Sequence, residues 1–215
     1  MNYLTLFLPL ILLVIGCQVL ADDQVLTING CRIEADSQCP NADLRNADLS
    51  HQDMRRMNLA GADLSGANLR HANLNLANLE KARLIKANLT RASLQQSNLR
   101  LADFTDSSLV AIRGWGLFAQ AAQFHNADMR AADLEFARMS AARMHNVQLH
   151  AANLEMTWLS KADLKGANLK DANLQEVKLS GSNLADADLS GTRTHYGNFQ
   201  GANMEGCVEC PKGWD

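Results

Sequence analysis

Five cysteines and six histidines are the side chains of this sequence best equipped for redox or metal chemistry. Cys207 and Cys210 stand as Cys-x-x-Cys, the spacing of a redox pair or of half a zinc site. A redox role calls for a βαβ pattern around the pair, and a zinc site calls for two further ligands. Neither accompanies it. His51 with His71, and His125 with His145, are each twenty residues apart, and two imidazoles alone do not hold a metal. The aspartates recur at regular intervals, where such side chains accept hydrogen bonds from nearby backbone amides. No Gly-x-Ser-x-Gly, phosphate loop or His-Glu-x-x-His occurs, and no nucleophile has a placed base. The expectation is a chain that is not an enzyme and needs no cofactor and no metal.

The N-terminus suggests where the chain works. Residues 4–15 are apolar, with Pro9 inside, and Asp22 and Asp23 follow shortly after. That run is too short to span a bilayer comfortably and suits the apolar part of a signal peptide over 1–21. Val19-Leu20-Ala21 forms an ordinary cleavage site, and residues 14–17 resemble a lipobox that would place a lipid on Cys17. No Lys or Arg lies within residues 2–20, so the basic flank rests on the α-amino group. The chain is expected to be exported: periplasmic, or associated with the outer membrane or cell surface of a bacterium. An even set of Cys31, Cys39, Cys207 and Cys210 then reads as disulfides.

These residues are carried on a repeat. Every fifth residue from Leu44 to Met204 gives 33 positions, and Leu, Met or Phe fills 30 of them; the exceptions are Gly114, Ala119 and Thr194. Two residues earlier runs a second column, Ala at 21 of 33 positions. A period of five fits neither an α-helix, around which the leucines would spiral, nor a straight strand, on which they would alternate faces. The chain must turn once per repeat, with Leu44, Leu64, Leu74, Leu84, Leu164 and Leu169 inside. Gly61, Gly66, Gly166, Gly181 and Gly201 fall at one corner position, where unusual backbone angles are cheap.

Ala-Asp-Leu-Ser-Gly at 62–66, Ala-Asn-Leu-Arg-His at 67–71 and Ala-Asn-Leu-Lys-Asp at 167–171 resemble the pentapeptide repeat family. The resemblance implies an all-β fold, a right-handed quadrilateral parallel β-helix with four repeats per coil. Applied here it gives about eight coils and a rod of ~40 Å at the strand spacing. Residues 22–41 would cap its start, 42–206 form the solenoid and 207–215 cap its end. On such a rod the two cysteine pairs lie too far apart to cross-link, leaving Cys31–Cys39 and Cys207–Cys210 as end staples. Residues 110–123 keep the count but break the pattern, either as a coil with its bulk swapped between columns or as an extruded loop led by Gly114, Trp115 and Gly116.

Residues twenty apart stack on a rod of this kind. Phe118, Arg138, Trp158 and Lys178 form one ladder, with Trp158 between two cations. Phe136, Met156 and Tyr196 lie along a neighbouring edge. This aromatic patch, with Trp115, is the candidate interface for an unknown protein partner or a homodimer. The family includes quinolone-resistance proteins that resemble DNA and bind gyrase, a reading disfavoured by the export signal and by arginines spread along the rod. A net charge of −3 with interspersed signs predicts no nucleic-acid partner, and membrane contact only through a lipid anchor or the N-terminal segment. The alternative function is redox or metal handling through Cys207 and Cys210.

Overall fold

The computed structural model describes residues 25–213; the expected signal peptide and Cys17 lie outside them. The five-residue period becomes a backbone that turns after every repeat. Leu44 and Ala47 close one such turn, with the Ala47 N–H donating to the Leu44 carbonyl at 3.2 Å, and Asn46 sits between them at φ +56°. A positive φ at the third residue is the type II pattern. Glycine is the easy choice there, yet the corners also hold Asn41, His71, Leu76, Lys81, Phe136 and Met156 at φ between 54° and 61°. These strained corners persist because each is tied to the next coil, as the Leu76 N–H is to the Gln95 carbonyl at 2.9 Å.

Between corners, each short face contributes one residue to a parallel bridge with the residue twenty positions on. Four such ladders run along the chain, begun by Gln38↔Asn58, Asp43↔Asp63, Asp48↔Asn68 and Asp53↔Asn73. The four-sided, twenty-residue coil follows directly. Continuous strands do not form, because the chain turns before a second residue can pair. The two exceptions among the described residues are β1 (Thr27–Ile28) and β2 (Cys31–Arg32), an antiparallel hairpin at the start. Asn29 at φ 48° and Gly30 at φ 81° make its turn, the Asn-Gly pairing that matches strand twist. The Cys31–Cys39 disulfide (Cα–Cα 5.5 Å) fastens this hairpin to the first coil. Cys207 and Cys210 are joined at the far end, with Cα atoms 5.8 Å apart.

The interior is a single apolar column. Leu44, Leu64, Leu74, Leu84, Leu164 and Leu169 are buried, and Phe104 stacks on Phe124 with centroids 5.0 Å apart. Residues 110–123 are not an extruded loop. The bridges Ser93↔Arg113 and Asn98↔Phe118 carry the ladders through them. Ile112 and Leu117 are buried from the small column, while Gly114 leaves the room that Leu117 uses.

The outward carboxylates hold the corners. Asp43 accepts from the Arg45 guanidinium and backbone N–H, and these bonds hold its carboxyl down at about 2. Hydrogen bonds from Arg56, Ser50, Arg55, Arg130 and Ser190 lower Asp36, Asp48, Asp53, Asp128 and Asp188 in the same way. A carboxylate with a depressed folded pKa stabilises above its unfolded value near 3.8, and that contribution disappears as pH falls through the folded one. The urea midpoint should therefore decline between about pH 4 and pH 2. A midpoint that rises over that interval contradicts these assignments.

Candidate functional site

One of the four ladders changes character partway along the rod. Asn58, Asn78 and Asn98 stack in it, the Asn78 amide donating to Asn58 at 3.2 Å and the Asn98 amide to Asn78 at 3.0 Å. Each also accepts the backbone N–H two residues on, from Ala60, Glu80 and Arg100. The next four places are Phe118, Arg138, Trp158 and Lys178, after which Asn198 accepts the Gln200 N–H again. The backbone bridges run through all of them, so the scaffold does not require the change. Four side-chain sites that make capping bonds elsewhere in the ladder, worth roughly 1 kcal/mol apiece, are given to outward rings and cations instead.

The adjacent corner does the same. Stacked at one corner position are Leu76, Gln96, Gly116, Phe136 and Met156, with Trp115 beside Gly116. Gly116 has no side chain to project, so a hollow of about 490 Å³ opens over it. Leu76, Gln96, Trp115, Phe118, Phe136 and Arg138 surround it. Trp115 meets Phe136 edge to face at 5.9 Å. Leu76, Trp115, Phe136 and Trp158 are exposed, which is unusual for side chains that gain most from leaving water.

Cations lie over the rings. The Arg100 and Arg138 guanidiniums sit 5.2 and 5.3 Å from the Phe118 centroid, and Arg138 also stands 5.9 Å from Trp158. Trp158 stands between Arg138 and Lys178 in the ladder, with the Arg138 guanidinium over its ring. Lys178 pairs with Trp158 only through the backbone bridge, and among the described residues no ring contact of its ammonium is found. Tyr196 is also apart from the hollow, 75% exposed near the far end and against the His195 ring. Met156 is half-buried two coils above Gly116. Sequence reasoning missed Leu76, Gln96 and Arg100. The first two were legible, since steps of twenty down from Phe136 reach Gly116, Gln96 and Leu76. Arg100 reaches Phe118 diagonally, across the 18-residue offset that also joins His145 to Asp163.

On the other shoulder lie Asp133, Glu135 and Glu155. Burial, then Asp133 and Glu155, raises the Glu135 carboxyl above its usual range. The remaining candidate groups are dispersed. His51 stacks on His71, and His145 meets His125 and hydrogen-bonds Asp163. No group of three or more metal-ligating side chains converges among the described residues.

The sequence profile described as pentapeptide repeats, in 8 copies, matches residues 42–80, 82–110, 120–155, 159–193 and 172–208. No curated protein matches. Among solved structures, the chain is similar to HetL of the cyanobacterium Nostoc, a pentapeptide repeat protein involved in heterocyst differentiation regulation. The two share 28% identity over 79% of this chain and 86% of that one, with a TM-score of 0.31. It is also similar to QnrB1, a plasmid-mediated fluoroquinolone resistance protein, with 14% identity over 79% and 91% of the chains and a TM-score of 0.47. A third is a pentapeptide repeat protein of the Arabidopsis thaliana thylakoid lumen, 25% identical over 40% and 63%, with a TM-score of 0.22.

Proposed function

The chain belongs to the pentapeptide repeat family, and on that premise we propose that it is an exported, non-catalytic protein-interaction module whose partner docks on the corner around Gly116. The rod would be the family's right-handed quadrilateral β-helix of about eight coils over 42–206, capped at 22–41 and 207–215. The signal peptide over 1–21 would deliver it outside the cytoplasm, and lipid on Cys17 would tether it. The disulfides at its two ends agree with an oxidising compartment.

One observation carries the reading. An asparagine ladder that caps its own corners gives way, over four consecutive coils, to Phe118, Arg138, Trp158 and Lys178 beside an exposed Trp115 and Phe136. Exposed aromatics with arginine mark the centres of protein interfaces. The paired variant Trp115→Ala with Phe136→Ser should keep the wild-type circular dichroism and urea midpoint. It should reduce retention of a specific envelope partner by roughly tenfold or more, as loss of central aromatic anchors does. Equal retention by both proteins would sink the interface. Cell fractionation that finds the chain in the cytoplasm, with its thiols free, would sink the export.

A further inference from the structure

We infer that the hollow over Gly116 takes a peptide segment of the partner in which one bulky apolar side chain is flanked by carboxylates. The inference rests on the interface reading above and adds the chemistry of the occupant.

The shape argues for one projecting side chain. A methyl group placed on Gly116 would meet only the Gln96 side chain, at 3.7 Å, so the space above the backbone is open. Its walls are the rings of Trp115, Phe118 and Phe136 and the Leu76 side chain. A volume of about 490 Å³ holds an aromatic or branched aliphatic group with adjoining backbone. The fold itself would accept a filled corner, since Leu76 occupies the same position at φ +61° two coils below. Glycine at 116 is therefore not dictated by the backbone.

Charge decides what flanks that side chain. Arg32, Arg45, Arg55, Arg56, Arg83 and Arg130 each have a carboxylate partner. Arg100 and Arg138, like Arg70, Arg91, Arg113, Arg143 and Arg193, have no ion pair among those of the described residues, and they are the two found over a ring, that of Phe118. The Arg100 Nε–H donates to the Gln120 side-chain carbonyl at 3.2 Å, which leaves its terminal N–H groups for a ligand, and those of Arg138 are left as well. A guanidinium held in place over a ring loses less freedom when an anion binds. Two such cations repel a positively charged ligand and attract a negative one. The opposite shoulder carries Asp133, Glu135 and Glu155 against one cation, Arg113, which precedes Asp133 in its ladder, and this net negative charge turns a ligand's carboxylates toward the Phe118 side.

The test titrates the full chain with three capped peptides: acetyl-Gly-Asp-Phe-Asp-Gly-amide, its Asn-Phe-Asn analogue and its Lys-Phe-Lys analogue. The Trp115 indole N–H resonance in the 15N-labelled protein is the readout. The acidic peptide should move that resonance and bind about tenfold more tightly than the neutral one, an advantage that shrinks with salt. Gly116→Leu should abolish the shift, and Arg100→Gln with Arg138→Gln should remove the preference for the acidic peptide. Equal binding of the neutral peptide, preference for the lysine peptide, or no shift at all overturns the inference. If partner retention still falls in the Trp115/Phe136 variant, the interface reading stands without it. Sedimentation showing a dimer that Gly116→Leu dissolves would make the occupant a second copy, which also overturns the peptide.

Discussion

Leu74→Ala is expected to lower the stability of the rod by about 2–5 kcal/mol, and Leu74→Lys to leave no cooperative folded state. Leu74 is fully buried, and its backbone N–H donates to the Ser93 carbonyl on the next coil at 2.7 Å. Truncation leaves a void lined by the coils above and below, since both neighbours are held by their own ladders and cannot collapse inward. A lysine faces a harder problem. A side chain in this column is directed to the axis, with four walls around it and coils on either side, so its ammonium has no route to water. In a stack where each coil is stabilised by the next, a broken coil also removes support from its neighbours. Urea titration followed by circular dichroism measures both effects. A Leu74→Lys protein with the wild-type midpoint would show that the column faces solvent and would overturn the fold.

Much of this architecture was legible because it follows from a period. Five-residue spacing forces one turn per repeat, and twenty-residue spacing then places Phe118, Arg138 and Trp158 in one ladder. The corner glycines and the Asn-Gly hairpin at 29–30 are local backbone chemistry, readable from residue type. What the sequence hid was contact between side chains that are not in one column. Arg100 reaches Phe118 from the preceding coil's corner, 18 residues away, at 5.2 Å, the same diagonal offset at which Ser93 meets Asn75 and Lys170 meets Asp188, and residue type alone does not say which such pairs touch. Lys178 occupies the expected rung above Trp158, yet a flexible ammonium on a rung need not lie on the ring. Of the expected patch, Trp115, Phe118, Phe136 and Arg138 line the hollow. Tyr196 shares the edge of Phe136, but the hollow forms where Gly116 removes a side chain, near the middle.

The Gly114 region shows the same division and supports a second strong prediction. Gly114 stands where the repeat calls for leucine, and Leu117 where it calls for alanine. A Cβ on Gly114 would lie 2.6 Å from the Leu117 side chain, 3.1 Å from Leu134 and 3.2 Å from the Asp133 carbonyl oxygen. The Leu117 contact can be relieved by a change of side chain; the Asp133 carbonyl belongs to the ladder and yields less. Gly114→Leu alone should therefore overpack the coil and cost about 1–3 kcal/mol. Leu117→Ala alone should open a void and cost about 2–5 kcal/mol. Joined in one chain, they restore the large and small columns of the regular repeat, with the leucine moved rather than lost. The double variant should be more stable than Leu117→Ala, with a coupling of about 2–3 kcal/mol between the sites. The four midpoints of this cycle separate two explanations of the irregular coil. Strong coupling means that Leu117 fills the space Gly114 vacates, and the departure from the repeat is a packing exchange within one coil. Additive costs would mean that the Asp133 carbonyl excludes any side chain at 114 on its own account, and that the exchange does not explain the glycine.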